Sequence, residues 1–107
     1  MFRLWIDDVR PAPNDNWIWI KDVKGAKAMI MMYERQMSDD TIFISLDHDA
    51  GDYANDGGDY IEILKWLEEH NIPDTGYFFH LHTMNPVGRD NMRFIINHNH
   101  WREVWNV

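Results

Sequence analysis

Apolar residues in this chain fall into short unbroken runs and longer periodic stretches, and the two alternate. Leu4-Trp5-Ile6, within a first run from Phe2 to Ile6, is stopped by Asp7 and Asp8, and Arg10-Pro11-Ala12-Pro13-Asn14-Asp15 then breaks any helix that would follow. This predicts a strand and then an ordered loop. Trp17-Ile18-Trp19-Ile20 is aromatic and β-branched and too short for a helix, which predicts a second strand at a sheet edge. From Val23, the residues Ala26, Ile30, Tyr33 and Met37 recur every three or four positions and share one helical face. Asp39-Asp40-Thr41 resets the chain. Ile42 to Leu46 is then nearly continuous in apolar residues, as a central parallel strand buried on both faces requires.

The stretch from Ala50 to Gly58 is polar and glycine-rich, which predicts a loop without regular structure. Asp59 is placed to cap a helix whose face carries Tyr60, Ile63, Leu64 and Leu67, and Asn71-Ile72-Pro73 ends it. Tyr77 to His82 reads as another strand. Asn85-Pro86-Val87-Gly88 reads as a turn before a last helix with Met92, Ile95 and Ile96, and the segment from Trp101 to Trp105 is expected to dock through its aromatic rings.

The order β, β, α, β, α, β, α predicts a small three-layer α/β domain, receiver-like or flavodoxin-like, spanning residues 1–107. Right-handed crossovers give four parallel strands in the order 2-1-3-4, with helices expected on both faces. The first and third strands then lie side by side. Ligands of open parallel sheets bind beyond the carboxyl ends of the strands; that edge collects Asp7, Asp8, Asp47, His48 and Asp49, and the strand carrying His80 and His82 runs out to it.

Composition narrows the possible partners. Zero cysteines remove thiol nucleophiles, Cys-based zinc sites and disulfides together. No run approaches the roughly 20 apolar residues of a membrane span, and the expected location is cytoplasmic. The net charge of −8 argues against a duplex nucleic-acid surface, which needs clustered Lys and Arg. A small phosphate ligand is compatible with that charge if local cations offset the acids.

The chemistry suggested by the edge is that of a hard divalent cation. Asp7, Asp8 and Asp47 offer carboxylate oxygens of the kind Mg²⁺ takes, and such a cluster would repel itself without a cation. His48 would extend the choice to Mn²⁺ or Zn²⁺, or would instead bond a loop carbonyl. Asp49 is a further ligand, a partner of His48, or the start of an Asx turn. His80 and His82 are two apart and face the same side of their strand, but only His82 reaches the carboxyl edge, where it suits acid–base work near neutrality. Thr83 and Asn85 can donate to phosphate oxygens, the helix opening near Arg89 offers free N–H groups, and Arg10 and Arg89 can clamp an anion. His70, His98 and His100 are read as surface residues, and Met29, Met31 and Met32 as core and adjoining surface.

Three strings, LWIDDVRPAP at residues 4–13, ISLDHDAG at 44–51 and HTMNPVGRDNM at 82–92, occur in an order and spacing that resemble the cyclic-phosphate-processing receiver domains. Ala50 stands where a larger aliphatic is usual in that family, and Thr83 where Ser is usual. The resemblance implies a receiver-like fold and a metal-dependent phosphoesterase acting on a cyclic or related nucleotide phosphate, with Mg²⁺ or Mn²⁺. It points to Asp7, Asp8, Arg10, Asp47, His48, Asp49, His82, Asn85 and Arg89. In the expected mechanism Asp47 attacks phosphorus, or a cation held by Asp7 or Asp8 with Asp47 activates water, while His82 protonates the leaving oxygen. Two alternatives stand beside it. One is a signalling receiver with Asp47 as phosphoacceptor, disfavoured because no lysine follows Lys65; the other is a binder that holds a nucleotide without turnover.

Overall fold

Each short apolar run becomes a strand, because an alternating chain can bury one side chain in two on each face of a sheet. The computed structural model describes residues 2–36, 41–70 and 76–105. Its elements in chain order are β1 (Phe2–Ile6), β2 (Ile18–Ile20), α1 (Val23–Gln36), β3 (Ile42–Leu46), a 3-10 helix over Gly51–Asp56, α2 (Ile61–Glu69), β4 (Tyr77–Leu81), α3 (Pro86–His98) and β5 (Arg102–Glu103). The predicted contributions of Met37, Asp39, Asp40, Asn71, Ile72 and Pro73 lie outside the described residues.

All five strands are parallel, in the order β2-β1-β3-β4-β5. The predicted order of the first four stands, with β2 at an edge and β1 beside β3. The tail expected to dock through its aromatic rings also supplies a fifth strand. Trp101 does dock, 5.3 Å from the ring of Phe79, and Arg102 and Glu103 then pair with Phe78 and Phe79.

The helices depart from the expected arrangement. The crossovers β2-α1-β3, β3-α2-β4 and β4-α3-β5 all step the same way across the sheet, and connections of one hand stepping one way put their helices on one face. Val23, Ala26 and Ile30 of α1, Ile63, Leu64 and Leu67 of α2, and Met92 and Ile96 of α3 share a single core with Leu4, Ile6, Ile42, Ile44, Leu46, Tyr77 and Phe79. Burying each such Leu or Ile contributes about 1.5–3 kcal/mol. Only the step from β1 to β2 runs the other way, and it is made by a loop. Among the described residues the opposite face of the sheet therefore carries no helix. Loop residue Trp17 packs there edge-on against Trp5 and Phe43.

Three local expectations are corrected. Residues 51–56 are helical, wound as a 3-10 turn that closes at Gly57, whose positive φ of 120° suits glycine. Asp59 does not cap α2: its Oδ1 accepts from Ala50 N at 3.0 Å, and Tyr60 is the N-cap without a side-chain bond. The segment read as a turn at Asn85-Pro86-Val87-Gly88 is the start of α3, with Asn85 as N-cap accepting from Gly88 N at 3.0 Å and Pro86 in the first turn.

The helix-free face reads as rows across the sheet. Register aligns Arg3, Phe43 and Phe78 in one row and Trp5, Ser45 and His80 in the next. Side chains two residues further along point the same way, so Asp7, Asp47 and His82 form a third row at the carboxyl edge.

Candidate functional site

The parallel ladder runs one bond past the strands and fixes this third row. Asp7 N donates to Ile20 O at 3.2 Å, Asp47 N to Ile6 O at 2.9 Å, and His82 N to Leu46 O at 3.0 Å. Residues some forty and seventy-five positions apart are thereby neighbours.

Asp7 is 2% exposed and heavily bonded. Its Oδ1 accepts from Val9 N at 3.0 Å and Arg10 N at 2.8 Å, and its Oδ2 meets His82 Nε2 at 2.9 Å. Burial pushes its carboxyl up, but the Arg10 and Val9 N–H groups and His82 outweigh burial and hold it below the ordinary carboxylate value. One lone pair, on Oδ2, is left for a further ligand.

Asp8 is in the reverse position. Burial, followed by the charges of Asp7 and Asp47, raises its pKa, against the pull of its own backbone N–H. Carboxylate oxygens of Asp7, Asp8 and Asp47 lie within 4.8 Å of one another. Gly51 permits this, since a Cβ on it would sit 2.4 Å from Asp8 Oδ2 and its φ is +57°. These donors fit a hard divalent cation: oxygen ligands, mutual repulsion, and a glycine-walled approach. Beneath them Tyr60 donates to Lys21 O at 2.6 Å, and burial together with the three carboxylates drives its hydroxyl pKa far upward.

The predicted ligands His48 and Asp49 belong to a separate arrangement. His48 Nδ1 lies 2.8 Å from Asp49 Oδ1 and 3.5 Å from Asn85 Nδ2, while Nε2 has no partner among the described residues. Its ring lies against the first turn of α3, where a Cβ on Gly88 would come within 2.4 Å of Cγ. His48, Asp49 and Asp59 form a second group within 4.8 Å. Asp49 is occupied by His48, and Asp59 by Ala50 N.

His82 reaches the edge as predicted, but both ring nitrogens are engaged: Nε2 on Asp7, and Nδ1 on Ser45 Oγ at 2.8 Å. Trp5 stacks on it with ring centroids 4.0 Å apart and planes 3° apart. Burial lowers its pKa, and Asp7 only partly offsets that. His80, one row back, meets the same Ser45 Oγ through Nδ1 at 2.8 Å and is likewise held neutral by burial and by His82.

The residues predicted to bind phosphate are mostly used in shaping the loops. Thr83 is buried, with Oγ1 accepting from Asn85 N at 3.1 Å, and Asn85 Oδ1 caps α3. Arg89 Nη2 donates to Thr83 O at 2.5 Å, and its buried Nε has no partner among the described residues. Arg10 is exposed, 3.4 Å through Nη1 from His82 O, and is the cation that borders the acidic edge. Sequence reasoning missed Ser45, Trp5, Gly51 and Gly88. Ser45 carried a signal, as the one hydroxyl in the apolar run from Ile42 to Leu46, two residues before Asp47.

A family model described as the cyclic-phosphate processing receiver domain matches residues 2–98. The chain belongs to that family. Comparison with curated proteins and with solved structures returns no match. The five-stranded parallel sheet with its three α-helices is a receiver-like α/β fold, in keeping with that family. Among the described residues no helix is long and apolar enough to cross a membrane.

Proposed function

We propose that this receiver-like domain hydrolyses a cyclic or related nucleotide phosphate at its carboxyl edge, in a metal-dependent reaction. The observation that supports this most is the convergence of Asp7, Asp8 and Asp47 within 4.8 Å, with the Asp8 pKa raised by burial and then by its charged neighbours. Mg²⁺ or Mn²⁺ held there would supply a Lewis acid for a phosphate oxygen and lower the pKa of a bound water.

The chain's own residues divide the remaining work. Asp47 belongs to the row on the open face and stands beside the reacting phosphorus as nucleophile or as the group that orients water. His82, predicted from sequence as the acid, has no nitrogen left to give; its role is to hold Asp7 by one oxygen. His48 is better built for proton transfer to the leaving oxygen, because Asp49 holds Nδ1–H and leaves Nε2 open to take up a proton from water and pass it on as the imidazolium. Arg10 supplies positive charge at the rim, and Asn85, whose Oδ1 caps α3, lies beside the His48 ring with Nδ2 3.5 Å from Nδ1.

The decisive experiment is turnover of 2′,3′-cyclic and 3′,5′-cyclic AMP with Mg²⁺ or Mn²⁺, comparing wild type with Asp47→Asn. The variant is expected to keep its melting temperature and lose more than about 100-fold in rate. Wild-type turnover in Asp47→Asn, or undiminished turnover in excess chelator, would remove this mechanism.

A further inference from the structure

The helix-free face holds a groove that the reaction above does not use. It is an open groove of about 500 Å³, lined by Arg3, Trp5, Trp17, His80 and Trp105 together with Pro13 and Asn14. Small-molecule sites typically span roughly 300–1,000 Å³. In a chain with 18 acidic and 10 basic residues, this lining contains no carboxylate among the described residues. Glu103, on the far side of His80, is held by Arg93 through two bonds of 2.8 and 2.7 Å.

Hydrogen-bond direction assigns the polarity of the groove. Asp7 can only accept, so His82 Nε2 carries the proton and His82 Nδ1 is bare. Ser45 then donates to His82 Nδ1 and accepts from His80 Nδ1–H. His80 Nε2 is left as an acceptor with no partner among the described residues. The groove thus presents an acceptor at His80, a guanidinium at Arg3 lying 5.7 Å from the Trp17 ring, the edges of the buried indoles of Trp5 and Trp17, and the exposed indole of Trp105, over which Arg93 lies at 4.3 Å.

We propose that this groove binds a free nucleotide, with a planar amino-bearing base against the indoles, its N–H donated to His80 Nε2, and its phosphate at Arg3. Stacking on indole suits any base, the acceptor selects one with an N–H, and the guanidinium selects an anion. The site stands apart from the metal-dependent reading of the acidic edge and survives its failure.

The test is a titration of the whole chain with AMP in excess chelator, so that no divalent cation contributes, followed through indole N–H signals in NMR. Saturable shifts at the groove indoles are expected. Adenosine and purine riboside 5′-monophosphate, which lack the anion and the N–H donor, should each bind at least about tenfold more weakly. Ribose 5-phosphate should not bind. Arg3→Gln and the exposed-site variant Trp105→Ala should each weaken AMP by at least about tenfold. No saturable binding, indifference to both variants, or shifts confined to residues 7–10 and 47–51 would overturn the assignment.

Discussion

Two histidine–carboxylate pairs border this edge, alike in residue type and separation and unlike in burial and in their remaining bonds. In the His82–Asp7 pair, 2.9 Å apart, the side chains are 6% and 2% exposed. In the His48–Asp49 pair, 2.8 Å apart, they are 16% and 62% exposed. Distance does not separate the two; the remaining bonds do. Asp7 also accepts two backbone N–H groups and His82 is locked by Ser45, so that pair is part of the architecture. Asp49 bonds His48 and little else, and His48 Nε2 is open. A buried pair with every donor satisfied holds a shape, whereas an exposed pair with one nitrogen free can move a proton.

Replacing the carboxylate in each pair gives the sharpest contrast. Asp7→Asn puts an amide that must both accept from the Val9 and Arg10 N–H groups and face the His82 proton, with charge-assisted bonds lost. We expect a stability loss of about 2 kcal/mol at neutral pH, read from the urea midpoint. A loss under about 0.5 kcal/mol would mean that relief of repulsion with Asp8 and Asp47 cancels the bonds, and the pair would not be structural.

The contrast also marks what could be read from sequence. The strands, their parallel order and the collection of acids follow from runs such as Ile42 to Leu46 ending in Asp47, because burial and alternation act locally. The sharing of one face by the three helices is a property of crossover direction, which the same runs fix only once β1 to β2 is seen to lack a helix. Asp59 looked like a cap because a carboxylate before an apolar helical face fits that use, but tertiary folding gave it Ala50 N. The roles of His82 and His48 depend on what occupies each ring nitrogen, and Ser45, thirty-five or more positions away, decides that for His80 and His82. No local spacing encodes it.

A smaller effect should appear in the pH dependence of stability. His80 and His82 are held neutral in the fold, below their ordinary 6.5, whereas the unfolded chain takes up protons near that value. Their contribution is therefore full above pH 6.5 and lost as pH falls from there. Asp7, held below its ordinary 3.8, contributes above that value and loses it as pH drops through its lowered pKa. Asp8, raised above 3.8, acts oppositely: its contribution is full below 3.8 and lost as pH rises through the raised value. Between about pH 7 and about pH 5 the histidines govern, so the melting temperature of the wild type should fall on acidification. His82→Gln, which removes one of the two groups, should fall less steeply. An equal slope would show that protonation of His82 costs the fold nothing.

The least change in stability is expected from Asp49→Asn. An exposed ion pair contributes below about 1 kcal/mol, and water can replace Asp49 at His48 Nδ1. The same variant should nonetheless disturb chemistry, because an amide can either accept from Nδ1–H or donate to bare Nδ1 and so no longer fixes which His48 nitrogen carries the proton. Measured together, near-unchanged melting and a reduced rate with an altered pH profile would mark His48–Asp49 as the working pair. Unchanged rate would place both histidines in the scaffold and leave Asp47 and the neighbouring carboxylates to act without a histidine.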